Sequence, residues 1–310
     1  MNLYINNILK YYIRPCMIPL IRFYIRYFPI KIFKLWFWNI IVEPYIRWGS
    51  YNFVVRTVFG SHIKGNTIDM IQQYIYYFGI WEPNLTHYIS SKLKNGDVFV
   101  DVGSNIGYYS LLASKLVGNS GIVIAVEAAP STFNNLLENI SINRYNNIRP
   151  VNVAASNSNG SICLYEGSKT NIGETSIIQG NCDSKGYEVT AMPLIEILLK
   201  DEFSRTRLIK IDVEGAELSV VEGMIPLLYK GRKDLEVVLE VNPERLKILG
   251  KNHEQLLMLF YDAGFNAYKL ENDYSPYSYL KSSIYKPIRL RENIQNQVDI
   301  IFSRKDADYL

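Results

Sequence analysis

The run Val98-Phe99-Val100-Asp101-Val102-Gly103-Ser104-Asn105-Ile106-Gly107-Tyr108 ends an apolar stretch in a carboxylate and follows it with two glycines four apart. Such a turn lets a ligand lie against bare backbone. A helix that starts there points free N–H groups at the ligand, which suits an anionic group. Asp101 adds a negative charge that can hold a cation or a hydroxyl. A second acid, Glu127, follows Ile122-Val123-Ile124-Ala125-Val126 and lies 24 residues beyond Gly103. The second strand of a βαβ unit should end there, and a carboxylate at that point can accept both hydroxyls of a ribose. The alternative for Glu127 is a solvated loop acid.

Two ligand classes compete for this turn. The dinucleotide fingerprint is G-x-G-x-x-G, whereas the spacing here is G-x-x-x-G with a leading Asp. A carboxylate repels a pyrophosphate. S-adenosylmethionine instead carries an ammonium, a sulfonium and one carboxylate. The charge pattern therefore favours S-adenosylmethionine over a nicotinamide dinucleotide. Its expected contacts are Asp101, Gly103, Ser104, Asn105, Gly107, Tyr108 and Glu127.

Further along, Leu208-Ile209-Lys210-Ile211-Asp212-Val213-Glu214-Gly215-Ala216-Glu217 places charges at the end of another apolar run. Lys210 and Asp212 are two apart and share one face of a strand. Buried strands rarely carry such groups unless they pair or act. Glu214 and Glu217 open the next helix, where the dipole favours acids. These residues read either as an ion pair that orients a substrate hydroxyl or as cap acids beside a structural salt bridge. Val237-Val238-Leu239-Glu240-Val241-Asn242 sets another acid inside an apolar run. Glu240 and Asp212 together could act as a general base or hold a divalent metal; alternatively, Glu240 is a buried acid satisfied by loop amides. Lys210, Asp212 and Glu240 are the expected reaction end, and no dedicated metal site is expected.

The elements that must position these groups are legible in outline. Apolar runs at 97–102, 121–126, 148–154, 207–212, 235–241, 264–270 and 297–303 read as strands. Helical stretches at 107–117, 131–143, 193–200, 214–229 and 252–262 lie between them. Continuous apolar strands alternating with helices imply a mostly parallel sheet covered on both faces. The last two strands have little helix between them, so an antiparallel closing pair is expected. Upstream, 51–66 reads as a hairpin, 67–79 as a helix and 83–96 as another. Residues 156–190, rich in Ser, Asn and Gly, read as an extended hairpin and loop near the mouth of the site.

The 310 residues carry a formal net charge of +3, unevenly spread. Residues 1–42 hold six Lys/Arg, eleven aromatics and no Asp or Glu, leaving 27 Lys/Arg against 30 Asp/Glu elsewhere. Prolines 15, 19, 29 and 44 cut the arm into short helices. It either caps the body with its rings or lies against a membrane surface, where each cation near anionic lipid gives about 1 kcal/mol. Three scattered cysteines and three histidines form no disulfide framework or zinc pattern. This fits a reducing compartment. No uncharged apolar stretch reaches the ~20 residues of a spanning helix, and the start lacks a signal peptide's order of parts. A cytoplasmic chain is expected, either free or membrane-associated. The expected divisions are 1–48, a basic aromatic helical extension; 49–96, a hairpin and helices leading into the core; and 97–310, the ligand-binding domain.

Several of these strings together resemble the FkbM family of S-adenosylmethionine-dependent methyltransferases. They are Phe99 to Ser110, Val126-Glu127-Ala128-Ala129-Pro130, Leu136-Leu137-Glu138-Asn139-Ile140 and Ile209 to Glu217, with Tyr77-Phe78-Gly79-Ile80-Trp81-Glu82-Pro83 ahead of them. The likeness covers about 65–245 and weakens toward 303. It implies an α/β class I methyltransferase fold, Rossmann-like, with a mostly parallel seven-stranded sheet, helices on both faces and a helical N-terminal extension. It implies methyl transfer, usually to oxygen, on a small-molecule or glycan acceptor such as a lipid-linked sugar or natural product, and not on nucleic acid, and it carries Lys210, Asp212 and Glu214 over as the reaction end. Two departures stand out. Ala128 and Ala129 separate Glu127 from Pro130, and the usual Leu-Asp-Asp-like string is Leu194-Ile195-Glu196 here. The other readings are a nicotinamide-dependent oxidoreductase and a membrane-attached module that binds S-adenosylmethionine without catalysis.

Overall fold

A computed structural model describes residues 14–28, 32–46, 49–165, 186–280 and 284–310. They fall into two units, one drawn from Met1–Pro83 and Asp273–Ser283, the other from Asn84–Ser168, Ile172–Asn272 and Ile284–Leu310.

In the first unit, helices α1 (Arg14–Tyr27) and α2 (Ile32–Phe37) are followed by a π-helical stretch, Trp38–Ile46. Strands β1 (Asn52–Arg56) and β2 (His62–Asn66) pair antiparallel, as the alternating pattern of 51–66 predicts. Helix α3 (Met70–Phe78) starts at Asp69, whose side chain accepts from the Gln72 amide at 2.9 Å. It stops at Gly79, in the left-handed region that suits glycine. The fully buried Trp38 ring stacks on Phe78 and meets Tyr77 edge-on. The Pro276–Leu280 helix (α13 below) also belongs to this unit.

The second unit runs α4 (Pro83–Lys92), β3 (Val98–Val102), α5 (Tyr108–Val117), β4 (Ile122–Val126), α6 (Pro130–Asn143), β5 (Ile148–Val151), β6 (Ala154–Ser156), β7 (Gly160–Leu164) and β8 (Tyr187–Pro193). It continues through α7 (Leu194–Ile197), α8 (Lys200–Arg205), β9 (Thr206–Ile211), α9 (Glu217–Glu222), α10 (Ile225–Lys230), β10 (Glu236–Val241), α11 (Pro243–Ile248) and α12 (His253–Asp262). After these come β11 (Asn266–Leu270), α13 (Pro276–Leu280, in the first unit), β12 (Ile288–Arg289) and β13 (Val298–Ser303).

The main sheet has the order β12-β11-β13-β10-β9-β3-β4-β5. Strands β5, β4, β3, β9 and β10 are parallel, and β13 runs antiparallel to both β10 and β11. This is the class I methyltransferase arrangement, with the antiparallel closing pair expected from 264–303. The two residues of β12 add an eighth strand at the edge, too short to show in any sequence pattern. Every residue of β3 is buried, so both of its faces are covered. Branched aliphatic residues of β3, β9 and β10 form the centre of the core with Leu218, Val220 and Val221 from α9. From β3 the chain winds outward through β4 and β5, then returns to β9 on the other side. The crevice beyond the carboxyl ends of β3 and β9 is thus the switch point where such sheets bind ligands.

Some elements are more broken than the sequence predicts. The run 148–154 splits into β5 and β6, and β6 joins a separate three-stranded sheet with β8 and β7. The 214–229 stretch becomes α9 and α10, broken at Gly223, where an added Cβ would lie 1.8 Å from the Ser156 carbonyl. Residues 160–164 pair antiparallel with 187–191, as the hairpin reading of this insertion expects. The loop between them, 166–185, lies outside the described residues, as does 1–13 of the basic arm.

Candidate active site

The β3–α5 turn is bound to its surroundings by main-chain contacts. The amides of Gly103 and Ser104 both donate to the Val126 carbonyl, at 2.9 and 3.0 Å. Gly103 (φ +76°), Asn105 (φ +49°) and Gly107 (φ +90°) all take left-handed backbone. A Cβ on Gly103 would lie 1.8 Å from the Asp212 carbonyl oxygen, and one on Gly107 would lie 2.6 Å from Leu136 Cδ1. These glycines therefore admit close approach of the chain itself. Inside the turn, Asp101 is 1% exposed. Its Oδ2 accepts from Ser110 Oγ at 2.6 Å, while its buried Oδ1 has no hydrogen-bond partner in the protein. Burial pushes the Asp101 carboxyl up, with Lys210 and Ser110 opposing that push.

Glu127, just past β4, links the two loops. Its Oε2 accepts from the Asn105 amide at 2.8 Å and its Oε1 from the Ala129 amide at 2.9 Å. Burial pushes this carboxyl up to about 7, against the pull of the two amides. Tyr108 is buried, and its hydroxyl lies 3.2 Å from Thr86 Oγ1 of α4. Four buried polar atoms around the turn have no hydrogen-bond partner: Asp101 Oδ1, Ser104 Oγ, Asn105 Oδ1 and Thr132 Oγ1 on α6. Such groups cost about 1–3 kcal/mol each when unsatisfied, and their concentration at one turn suits a polar ligand.

The acidic end adjoins this turn. The Asp212 amide donates to the Val102 carbonyl at 3.0 Å, carrying the β3–β9 ladder one step past the strand. Lys210 is buried; its Nζ pairs with Asp212 Oδ2 at 2.8 Å and lies 5.1 Å from the Tyr109 ring centroid. Asp212 is held below its ordinary value. Burial opposes this, but the Lys210 ammonium, a hydrogen bond shared with Glu240 and the charge of Arg245 prevail. Carboxylate oxygens of Asp212, Glu214 and Glu240 lie within 4.8 Å of one another, a spacing compatible with a cation. Lys210 and Arg245 are already paired with Asp212 and Glu214.

The structure thus gathers Lys210, Asp212, Glu214 and Glu240 in one cluster, and Asp101, Gly103, Asn105 and Glu127 in an adjoining one. Sequence reasoning missed three neighbours, and it read a fourth, Glu217, as a helix-opening acid. Arg245 pairs with Glu214. It is placed by Asn242, whose side chain caps α11 by accepting from the Glu244 and Arg245 amides. The Asn242-Pro243 string announces that helix start but not its partner. Gln297 donates to Glu240 from β13's approach. Tyr109 faces Lys210. Glu217, 3% exposed, accepts the Gly215 amide at 2.8 Å through Oε1, while its buried Oε2 has no hydrogen-bond partner. It thereby braces the turn in which Glu214 (φ +44°) and Gly215 (φ +103°) both take left-handed backbone.

The Methyltransferase FkbM domain model matches residues 101–267. The hexuronic acid methyltransferase AglP of Haloferax volcanii is 30% identical over 148 residues, covering 46% of this chain and 56% of AglP. Methyltransferase 1 of Beauveria bassiana is 26% identical over 144 residues, covering 40% of this chain and 57% of that protein. The chain thus spans about half the length of these curated relatives. Among solved structures, a precorrin-6y C5,15-methyltransferase from Geobacter metallireducens aligns with TM-score 0.41 and 15% identity over 73% of this chain and 90% of that one.

Proposed function

The chain belongs to the FkbM methyltransferase family, and we propose that it methylates a hydroxyl oxygen on a small-molecule or glycan acceptor, with S-adenosylmethionine as donor. The observation that carries the reaction type is the Lys210–Asp212 ion pair, held beside the β3–α5 turn by a main-chain ladder bond. S-adenosylmethionine is the cofactor of the family, and the unsatisfied polar atoms of the turn fit it. In this reading Glu127 takes the ribose hydroxyls. Asp101, Ser104, Asn105 and the backbone from Gly103 to Tyr108 take the methionine end.

When bound, the cofactor supplies a methyl group already activated by its sulfonium. The protein's work is then mostly to position the acceptor and exclude water. Asp212 accepts the hydrogen bond of the acceptor hydroxyl, fixes the oxygen's direction and receives its proton as the new bond forms. Lys210 keeps Asp212 ionised at neutral pH. A carboxylate held low is a weak base, so orientation contributes more than proton abstraction. Arg245 and Gln297 hold Glu214 and Glu240 beside it, forming a polar wall that suits a hydroxyl-rich acceptor. AglP is a hexuronic acid methyltransferase by name, and a sugar acceptor is the class this wall favours. We place the chain's action in the cytoplasm.

The deciding experiment gives methyl-labelled S-adenosylmethionine and native extract to the wild type and to Asp212→Asn, then identifies the product by mass spectrometry. We expect an O-methylated product from the wild type. We expect a loss of about 10²-fold in the variant, as for lost positioning, with cofactor affinity by calorimetry unchanged. No heat with wild-type protein, or label found on nitrogen or carbon, would overturn the proposal.

A further inference from the structure

The first unit's N-terminal helices reverse the usual surface pattern. Helix α1 buries Ile18, Ile21 and Ile25, yet Leu20, Phe23 and Tyr27 stand 70%, 60% and 59% exposed. Through α2 and the π-helical stretch, Phe33, Trp36 and Ile40 are likewise about half exposed, at 54%, 51% and 47%. Among the described side chains of 18–28 and 33–44, Asn39 is the one exposed residue that is not aliphatic, aromatic or proline. Three cations of this stretch are anchored by contacts within the unit, which leaves the exposed positions between them apolar. Arg22 lies 4.9 Å over the Tyr76 ring, Arg26 donates to the Arg56 carbonyl, and Lys34 is buried. A helix that faces water carries its charges outward. Large apolar side chains exposed in this number on successive helices mark an interaction site.

Charge selects what covers it. Six Lys/Arg lie within residues 1–42, and Glu43, which accepts from Trp38 Nε1 at 3.2 Å, is the one acid between Met1 and Ile46. A second copy would bring six like charges against them. An anionic bilayer surface attracts them across a Debye length, and its headgroup boundary accommodates Phe, Tyr, Trp and Leu side chains. No helix among the described residues is long and apolar enough to cross a membrane. We propose that α1, α2 and the π-helical stretch lie in the plane of an anionic phospholipid bilayer, with Leu20, Phe23, Tyr27, Phe33, Trp36 and Ile40 buried at its interface. This goes beyond the methyltransferase reading and stands without it.

The test floats the full chain with vesicles of phosphatidylcholine, with and without phosphatidylglycerol. The wild type should rise with the anionic vesicles, stay below with the neutral ones, and be released by high salt. The combined variant Leu20→Ser, Phe23→Ser, Trp36→Ser should lose at least about tenfold in bound fraction while melting like the wild type. Should that variant fail to fold, the single changes Leu20→Ser and Trp36→Ser carry the same comparison. A wild type that never floats, or variants that float equally well, would overturn the proposal. So would a wild-type dimer in solution that the variant loses while vesicles bind neither.

Discussion

Glu127 and Asp212 are two carboxylates of one site whose surroundings drive them in opposite directions. Burial raises Glu127 to about 7, and Lys210 helps hold Asp212 low. For Glu127 the sign follows from linkage. The folded protein holds its proton more tightly than the unfolded chain, so stability falls as pH rises from the ordinary Glu range toward about 7. A ribose donating two hydroxyl hydrogens favours the ionised form. Cofactor affinity should therefore strengthen as pH rises through about 7, by up to about tenfold per pH unit below it. Calorimetry across that range checks this, and Glu127→Gln should abolish the slope. Asp212 stays ionised there, so kcat should not share it. A second prediction concerns glycine. Gly103→Ala meets the Asp212 carbonyl, while Gly250→Ala, also left-handed at φ +68°, meets nothing within 4 Å. The first should cost on the order of 3 kcal/mol or more and the second about 1 kcal/mol, read by chemical denaturation. Asp101, Glu127 and the Lys210–Asp212 pair were legible because strand ends and two-residue spacings are local signals. Gln297 was not, since it reaches Glu240 across 57 residues. Nor does spacing reveal that both Glu127 oxygens accept backbone amides.

At the scale of elements, the site depends on how strands end and helices begin. The apolar runs predicted β3, β4, β9 and β10 closely because these strands are buried on both faces. Boundaries set by tertiary contact were less legible: β5 and β6 part where β6 joins another sheet, and α9 and α10 part where Gly223 meets the Ser156 carbonyl. Helix α11 joins local structure to chemistry, because Asn242 caps it and so fixes Arg245 against Glu214. Asn242→Ala should cost about 1 kcal/mol of stability and lower kcat more than it changes cofactor affinity. Asn242→Asp should restore both, as measured by thermal unfolding and steady-state kinetics.

For the whole molecule, the sheet-bearing unit gathers buried polar atoms without hydrogen-bond partners at the β3–α5 turn, and a ligand that satisfies them should stabilise it. S-adenosylmethionine at a hundredfold its Kd should raise the unfolding free energy of this unit by about 2.7 kcal/mol. NADH should leave the melting curve unmoved, and a shift with NADH instead would revive the oxidoreductase reading. The contact between Gly103 and the Asp212 carbonyl reaches further than stability. The β3–α5 turn and the turn after β9, proposed above to serve donor and acceptor, meet main chain to main chain, with no side chain between them to vary. The spacing between the two halves is therefore not adjustable by ordinary substitution, and position 103 is closed to drift. Side chains of the outer wall, at 240, 245 and 297, can change without touching that seam. A lineage of such enzymes can diverge in what it methylates while inheriting an unaltered ruler for where the methyl group must go.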